Sequence, residues 1–224
     1  MSSYYREKLS AARLKRVYEI ASPRIVQYLE AEIDYVVSRL KPRDRVLELG
    51  CGYGRVLERL HGDCPDIFGI DSSLESLKTG KEYLKNADAV KLLCMDAVRL
   101  GFGDGSFDVV ICIQNGISAF HINPAGLISE IMRVLRRNGK AFFSSYSENF
   151  WDDRLRWFED QAREGLLGEI DYERTGNGVI VCKDGFSATT LSADDFKRLT
   201  DSLDAEVKIF EVDKSSLFCE IIRR

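Results

Sequence analysis

Three acidic residues stand at or near the ends of short apolar runs: Glu48 in VLELG, Asp71 in FGIDSS and Asp96 in LLCMDAV. The first is followed by Gly50, Gly52 and Gly54, three glycines at alternate positions, and then by RVLERL, which has helical spacing. A glycine-rich turn between strand and helix lets a ligand approach the backbone where a Cβ would obstruct it. Dinucleotide-binding chains use G-x-G-x-x-G there and set a pyrophosphate at the helix amino terminus, where the dipole favours negative charge. Here the spacing is G-C-G-Y-G, with Cys51 and Tyr53 between the glycines, and the Glu48 carboxylate at the mouth of the turn would oppose a pyrophosphate. The chemistry that suits this loop is the binding of a cationic ligand without phosphate.

S-adenosylmethionine has that character, carrying a sulfonium and an ammonium against one carboxylate. Asp71, which follows the second apolar run, can accept from both hydroxyls of a ribose. Dinucleotides contain ribose too, so Asp71 does not discriminate. Asp96 supplies an adenine contact, because a carboxylate at that place can accept from the amino group of adenine, while Met95 and Ala97 offer the ring apolar surface and a backbone donor. All three acids fall at carboxyl ends of expected strands, on the rim where open α/β sheets bind their ligands.

The elements that must position these residues are legible from Arg45 onward. Short apolar runs alternate with helical segments, the pattern of a parallel sheet covered on both faces. Strands are expected at 45–49, 66–70, 90–94, 107–113 and 140–146, with helices near 54–61 and 74–86 and a turn at 101–106. Before the fifth strand, Asn123 caps a helix, Pro124 suits its first position, and Leu127, Ile128, Ile131, Met132 and Leu135 form its buried stripe. Asn138 and Gly139 end it. The first forty residues read as helix, with Ile25, Leu29, Ile33, Val36, Val37 and Leu40 as an apolar stripe stopped by Pro42. After the fifth strand, ENFWDDRLRWFEDQAREGLL reads as an aromatic-rich helix and 169–191 as a strand pair around Asn177 and Gly178. Ser192 and Asp195 form a capping box for a helix bearing Phe196, Leu199 and Leu203. The final strands, 205–212 and 216–222, lie so close in sequence that they must pair antiparallel.

Composition narrows the classes. With 224 residues and 45% hydrophobic content the chain can bury one substantial core, so one domain is expected. It divides into a helical preface (1–43), a binding core (44–147), an insertion (148–191) and a last helix with a strand hairpin (192–224). No run approaches a membrane span and the first residues lack a signal peptide's apolar core, so a cytoplasmic protein is expected. The six cysteines are scattered singly beside two histidines, which argues against a zinc site or a disulfide framework, and no metal is expected. Several cysteines sit inside apolar runs such as VVICI and KLLCM, where they act as small hydrophobes. A net charge of −4 argues against a nucleic-acid partner, and the excess of basic residues in 1–45 reads as a solvated helix face.

The chain resembles the class I S-adenosylmethionine-dependent methyltransferases of the small-molecule, type 11-like kind. VLELGCGYGRVLERL is similar to that family's first motif and FGIDSSLESLKTGK to its second. CMDAVRLGFGDGSFDVVIC is similar to the adenine-contact and fourth-strand segment, and EIMRVLRRNGKAFFSS to the helix and strand that follow. The resemblance implies a doubly wound, mostly parallel seven-stranded Rossmann-like sheet with an antiparallel last strand. It implies that Glu48, Gly50, Cys51, Gly52 and Gly54 surround the methionine part of S-adenosylmethionine, that Asp71 holds the ribose flanked by Ser72 and Leu74, and that Asp96 with Ala97 reads the adenine. Gln114 and Asn115 would lie near the sulfonium, with S-adenosylhomocysteine as product and a small-molecule acceptor as partner.

Methyl transfer from a sulfonium needs in-line approach by a desolvated nucleophile more than a dedicated base. No catalytic motif is therefore required, and Asn115 and His121 are the only candidates. The segment CIQNGISAFHIN lacks the Asn/Asp-Pro-Pro-aromatic signature of enzymes that methylate exocyclic amines of nucleobases, and bears a short likeness to glycine N-methyltransferases. Tyr146, Phe150, Trp151, Trp157 and Phe158, with Arg154 and Arg156, form either a lid over the acceptor or part of the core. Tyr4 and Tyr5 are candidates to close over the cofactor. Expected is a methyltransferase acting on a nitrogen, oxygen or carbon acceptor, as monomer or homodimer. The alternatives are a non-catalytic S-adenosylmethionine-binding regulatory module and a nicotinamide-dependent oxidoreductase.

Overall fold

The apolar runs assemble into one seven-stranded sheet in the computed structural model, which describes Tyr4, residues 11–62 and residues 64–224. The strands are β1 (Arg45–Leu49), β2 (Asp66–Asp71), β3 (Val90–Cys94), β4 (Phe107–Cys112), β5 (Leu135–Tyr146), β8 (Ala205–Val212) and β9 (Ser216–Arg223). They lie in the order β3-β2-β1-β4-β5-β9-β8. The pairs among β1 to β5 are parallel, whereas β9 runs antiparallel to both neighbours. The expected mostly parallel sheet with an antiparallel last strand is thus the observed one.

The helices are α1 (Ala11–Glu19), α2 (Pro23–Val37), α3 (Arg55–Leu60), α4 (Leu74–Tyr83), α5 (Gly116–Ala119), α6 (Pro124–Val134), α7 (Trp151–Arg163) and α8 (Ala193–Thr200). Alternation along the central strands sends side chains to two covered faces. Leu47 and Leu49 pack with Leu127, Ile131 and Phe196 of α6 and α8, while Val46 packs with Ile33 of α2, Leu57 of α3 and Leu77 of α4. Glu48 follows the parity of Val46, so its carboxylate emerges on the α2–α4 side. A third apolar cluster joins Val17, Ile25, Tyr28 and Leu29 of the amino-terminal helices to Trp157, Phe158, Phe186 and their neighbours in the insertion. The insertion (148–191) is therefore bound to the preface.

Several boundaries differ from the sequence reading. Among the described residues 11–43 the preface is broken into two helices, because Ser22 caps α2 by accepting from the Ile25 amide and Pro23 takes its first turn; α2 ends at Val37, ahead of Pro42. The helix in the insertion spans only α7, preceded by a 3-10 turn at Glu148–Phe150. Asn177 and Gly178, both with positive φ, make a turn closed by the Gly176–Val179 bridge, but the strand pair β6 (Ile180–Val181) and β7 (Ser187–Ala188) reverses instead through Asp184 and Gly185. An Asp-Gly turn competes as strongly as an Asn-Gly turn for a hairpin. The Ser192–Asp195 capping box is present. All six cysteines are free; five are buried, and Cys94, on the edge strand β3, is exposed. Among the described residues no helix is long and apolar enough to cross a membrane, and no group of His, Cys, Asp and Glu could hold a metal ion.

Candidate functional site

The carboxyl ends of β1, β2 and β4 open into a cavity of ≈ 230 Å³. The turn after β1 forms one end of it. Its first residues are fixed by the Gly50 and Cys51 amides, which both donate to the Ile70 carbonyl at 2.8 and 2.9 Å. Gly50 has φ +72°, and a Cβ there would come within 2.6 Å of the Phe120 ring. Gly52 has φ +55°, and its amide donates to Asp71 Oδ2 at 2.9 Å. Asp71 Oδ1 accepts from the Ser73 amide at 2.7 Å, so one carboxylate ties the glycine loop to the entry of α4. Burial raises the Asp71 pKa, and the amides of Ser73, Gly52 and Ser72 oppose that rise.

Glu48 lines the same end, is 5% exposed and has no hydrogen-bond partner for Oε2. Burial pushes its carboxyl up to about 8; Arg55 draws it down and Asp71 adds to the rise. Arg55, the first residue of α3, complements it. Its guanidinium lies 4.7 Å over the Tyr18 ring, one nitrogen reaches Glu30 at 3.4 Å, and Nε and Nη2 are buried without partners. A buried carboxyl and a buried guanidinium, each with unused polar atoms, thus line one cavity end.

At the exit of β4, Gln114 lines the cavity with φ +56°. Its amide donates to Glu32 Oε2 at 2.6 Å and to Ser144 Oγ at 2.7 Å. Glu32, wholly buried on α2, also accepts from the Ser144 hydroxyl at 2.8 Å and from Ser216. Burial pushes its carboxyl up to about 7 against those donors. Asn115 is differently employed: Nδ2 donates to the Thr189 carbonyl and Oδ1 accepts from Ser145 Oγ, both at 3.0 Å. It fastens β4 to β5 and the insertion, and it does not line the cavity. His121 is exposed and outside the cavity lining.

The other end of the cavity is aromatic. Tyr28 from α2, Tyr146 from β5, Trp157 and Phe158 from α7, and Phe186 from the turn before β7 form its walls. Trp157 Nε1 is committed to the Val17 carbonyl at 3.3 Å. The aromatic block therefore divides between lid and core: Tyr146, Trp157 and Phe158 face the cavity, whereas Phe150 is buried beside Tyr28. Arg154 is buried, donates to the carbonyls of Gly178 and Ala188, and lies 4.5 Å over the Tyr146 ring. Arg156 is on the surface with Asp153. Tyr4 joins the apolar cluster of the insertion, bonded to Asp184, and is absent from this cavity's lining; Tyr5 lies outside the described residues.

Of the residues singled out from sequence, Glu48, Gly50, Cys51, Gly52, Asp71, Ser72 and Gln114 line the cavity. Gly54 caps α3 with φ 90°. Leu74, Asp96 and Ala97 do not line the cavity; Met95, beside Asp96, donates its amide to the Asp71 carbonyl at 3.1 Å, and Leu74 opens α4 three residues after Asp71. Asp96 is half-buried and accepts from the Val98 amide, and Leu74 and Val98 are both exposed. Sequence reasoning missed Arg55, Tyr18, Tyr28, Gln161 and Phe186. Arg55 alone had a local signal, an arginine directly after the glycines.

Residues 47–143 match the family described as methyltransferase domain. The chain is 29% identical over 157 residues to 2-methyl-6-phytyl-1,4-hydroquinone methyltransferase of Synechocystis sp., covering 63% of this chain and 47% of that one. It spans about half the length of the curated relatives it matches. Among solved structures, a Pyrococcus horikoshii protein superposes over 100% of both chains with a TM-score of 0.66 at 20% identity. A Methanococcus maripaludis putative S-adenosyl-L-methionine-dependent methyltransferase gives 0.67 at 15% identity, covering 97% of this chain and 94% of its own. At such identities these two speak for the fold.

Proposed function

Given that the chain belongs to the methyltransferase domain family through residues 47–143 and has the class I methyltransferase fold, we propose that it moves a methyl group from S-adenosylmethionine to a nitrogen, oxygen or carbon atom of a small molecule. The observation that carries this reading is Glu48, a buried carboxylate with an unpartnered oxygen beside the glycine loop. Beside an approaching ammonium such a group ionises and attracts it, whereas a phosphate would oppose that ionisation. Arg55, with two buried unpartnered nitrogens, is the matching group for the carboxylate of the same amino-acid tail.

When bound, S-adenosylmethionine supplies an activated methyl: the carbon–sulfur bond breaks with its electron pair going to sulfur, a bond to the acceptor forms, and the acceptor's proton leaves to water. In this reading Asp71 holds the ribose with the lone pairs left by Gly52 and Ser73, and Asp96 with Ala97 reads the adenine between Leu74 and Val98. Gln114, pinned by Glu32, borders the reacting atoms. Positioning in a cavity closed by aromatic walls supplies the acceleration. The relative from Synechocystis, named for a hydroquinone substrate, supports a small-molecule acceptor. The reading includes a cytoplasmic setting, which six free thiols support.

Calorimetric titration with S-adenosylhomocysteine and with NAD tests the cofactor assignment. Binding of the former alone is expected; binding of NAD alone would overturn it. Incubation with methyl-labelled cofactor and a metabolite pool then separates an enzyme, which yields labelled product, from a non-catalytic binding module, which yields none.

A further inference from the structure

We propose that the aromatic end of the cavity is the acceptor chamber for a neutral, flat molecule whose nucleophilic atom is held by the hydroxyl of Tyr28; this rests on the methyltransferase reading above. The charge distribution selects the class. Among the described residues, the ionisable carboxylates and guanidinium lining the cavity, those of Glu48, Asp71 and Arg55, belong to the glycine-loop end. From Tyr28 inward the lining is Leu29, Tyr146, Trp157, Phe158, Gln161 and Phe186, which offers an anion no counter-charge.

Rings alone can hold a cation, but here that role is taken. The Arg154 guanidinium already lies behind the wall, 4.5 Å from the Tyr146 centroid and 5.6 Å from that of Phe158, so a second cation would meet its repulsion across the rings. Glu32, one helical turn from Tyr28 on α2, adds a buried acidic group on the α2 side. A neutral dipole suits a chamber so placed. Flatness follows from walls of rings that approach from α2 and β5 on one side and from the insertion on the other.

Tyr28 is the group that singles out one atom of the guest. Its side chain is completely buried and lines the cavity, and its hydroxyl makes no well-formed hydrogen bond, the Tyr146 hydroxyl being the neighbour that competes for its proton. Buried hydroxyls without a partner are rare and point to a ligand atom that completes them. The ring is held by Tyr146 and Phe150, with centroids 5.3 and 5.1 Å away, so the hydroxyl is presented by a fixed scaffold. Burial raises its pKa well above the usual phenol range, which keeps the proton on the oxygen as a donor. A hydroxyarene or arylamine presents a lone pair to such a donor.

Protein saturated with S-adenosylhomocysteine is titrated with four probes of one frame, namely naphthol, naphthalene, naphthoate and naphthylmethylammonium, and binding is read by saturation-transfer NMR. Naphthol is expected to bind most tightly, about tenfold above naphthalene, with both ions weaker than either. In Tyr28→Phe the advantage of naphthol over naphthalene should vanish while naphthalene binding persists, with circular dichroism as the check on folding; the wild-type series stands alone if that variant does not fold. Tighter binding of naphthoate or of the ammonium probe, binding of none of the four, or an undiminished naphthol preference in Tyr28→Phe overturns the inference. If S-adenosylhomocysteine itself fails to bind, the methyltransferase reading falls and this inference with it; if it binds and the probes disobey, only the acceptor assignment falls.

Discussion

The two ends of the one cavity are built by opposite means. The glycine-loop end is local: residues 48 to 55 supply its carboxylate, its close backbone and its guanidinium, and Asp71 and Ser72 follow at the end of the adjacent strand. The aromatic end collects Tyr28, Tyr146, Trp157 and Phe186 from four separate segments and contributes rings with few polar atoms. In the proposed reading a charged ligand would be met by fixed charges on the sheet and the acceptor by a wall of rings drawn from distant segments. Cofactor affinity and chamber stability should therefore respond to different substitutions.

The sharpest break of that separation is Arg154→Met. It removes the guanidinium bonds to the carbonyls of Gly178, which keeps only the Thr190 hydroxyl at 3.3 Å, and of Ala188, and should cost about 3 kcal/mol in a urea melt. Affinity for S-adenosylhomocysteine should stay within about a factor of two, a difference under 1 kcal/mol. A large loss of affinity would show that the two ends are one mechanical unit.

Glu48→Gln probes the other end with the reverse pattern. Cofactor affinity should fall by about 2 kcal/mol, some thirtyfold, in calorimetry. Stability without cofactor should rise at high pH. Glu48 and Glu32 both have folded-state values, about 8 and about 7, above that of an unfolded glutamate. Between that unfolded value and their own they bind more protons folded than unfolded, so stability is present at low pH and is lost as pH rises through 7 and 8. Thermal melts from pH 5 to 9 should show the decline, and Glu48→Gln should flatten its upper part. A melting temperature that climbs over that range would contradict the burial of these two acids.

Asp71→Ala should weaken S-adenosylhomocysteine binding by about 1 to 3 kcal/mol for each ribose hydrogen bond lost. An unchanged dissociation constant would refute the ribose role. The smallest effect belongs to Arg156→Ala, on the outer face of α7. Its exposed pair with Asp153 should be worth less than about 0.5 kcal/mol, with both binding and stability unmoved.

This contrast also explains what was legible in the sequence. Strands β1, β3 and β8 fall where alternating or continuous apolar runs put them, because each is bounded by turn chemistry only a few residues away. Glu48, the glycines and Asp71 were legible for the same reason, as their spacing is fixed by one strand-turn-helix unit and its neighbour. Tyr28 was hidden inside an ordinary apolar stripe. Its neighbours Ile25 and Leu29 pack as that stripe requires, and nothing local tells a tyrosine that fills a core from one that faces a cavity. The break between α1 and α2 was missed although Ser22-Pro23 signals a helix start, because the stripe of α2 was read as part of one longer helix. Asn115 shows the converse error. Its place after β4 suggests chemistry, yet Ser145 and Thr189, distant in sequence, take up its amide.

The central claim is that a buried, protonated Glu48 gives up its proton to receive a cationic tail. Calorimetry of S-adenosylhomocysteine binding at pH 7 in buffers of different ionisation enthalpy measures this directly. The account predicts net proton release on ligand binding by the wild-type protein and less by Glu48→Gln. Binding with no buffer-dependent heat in the wild type, or with net proton uptake, would contradict it.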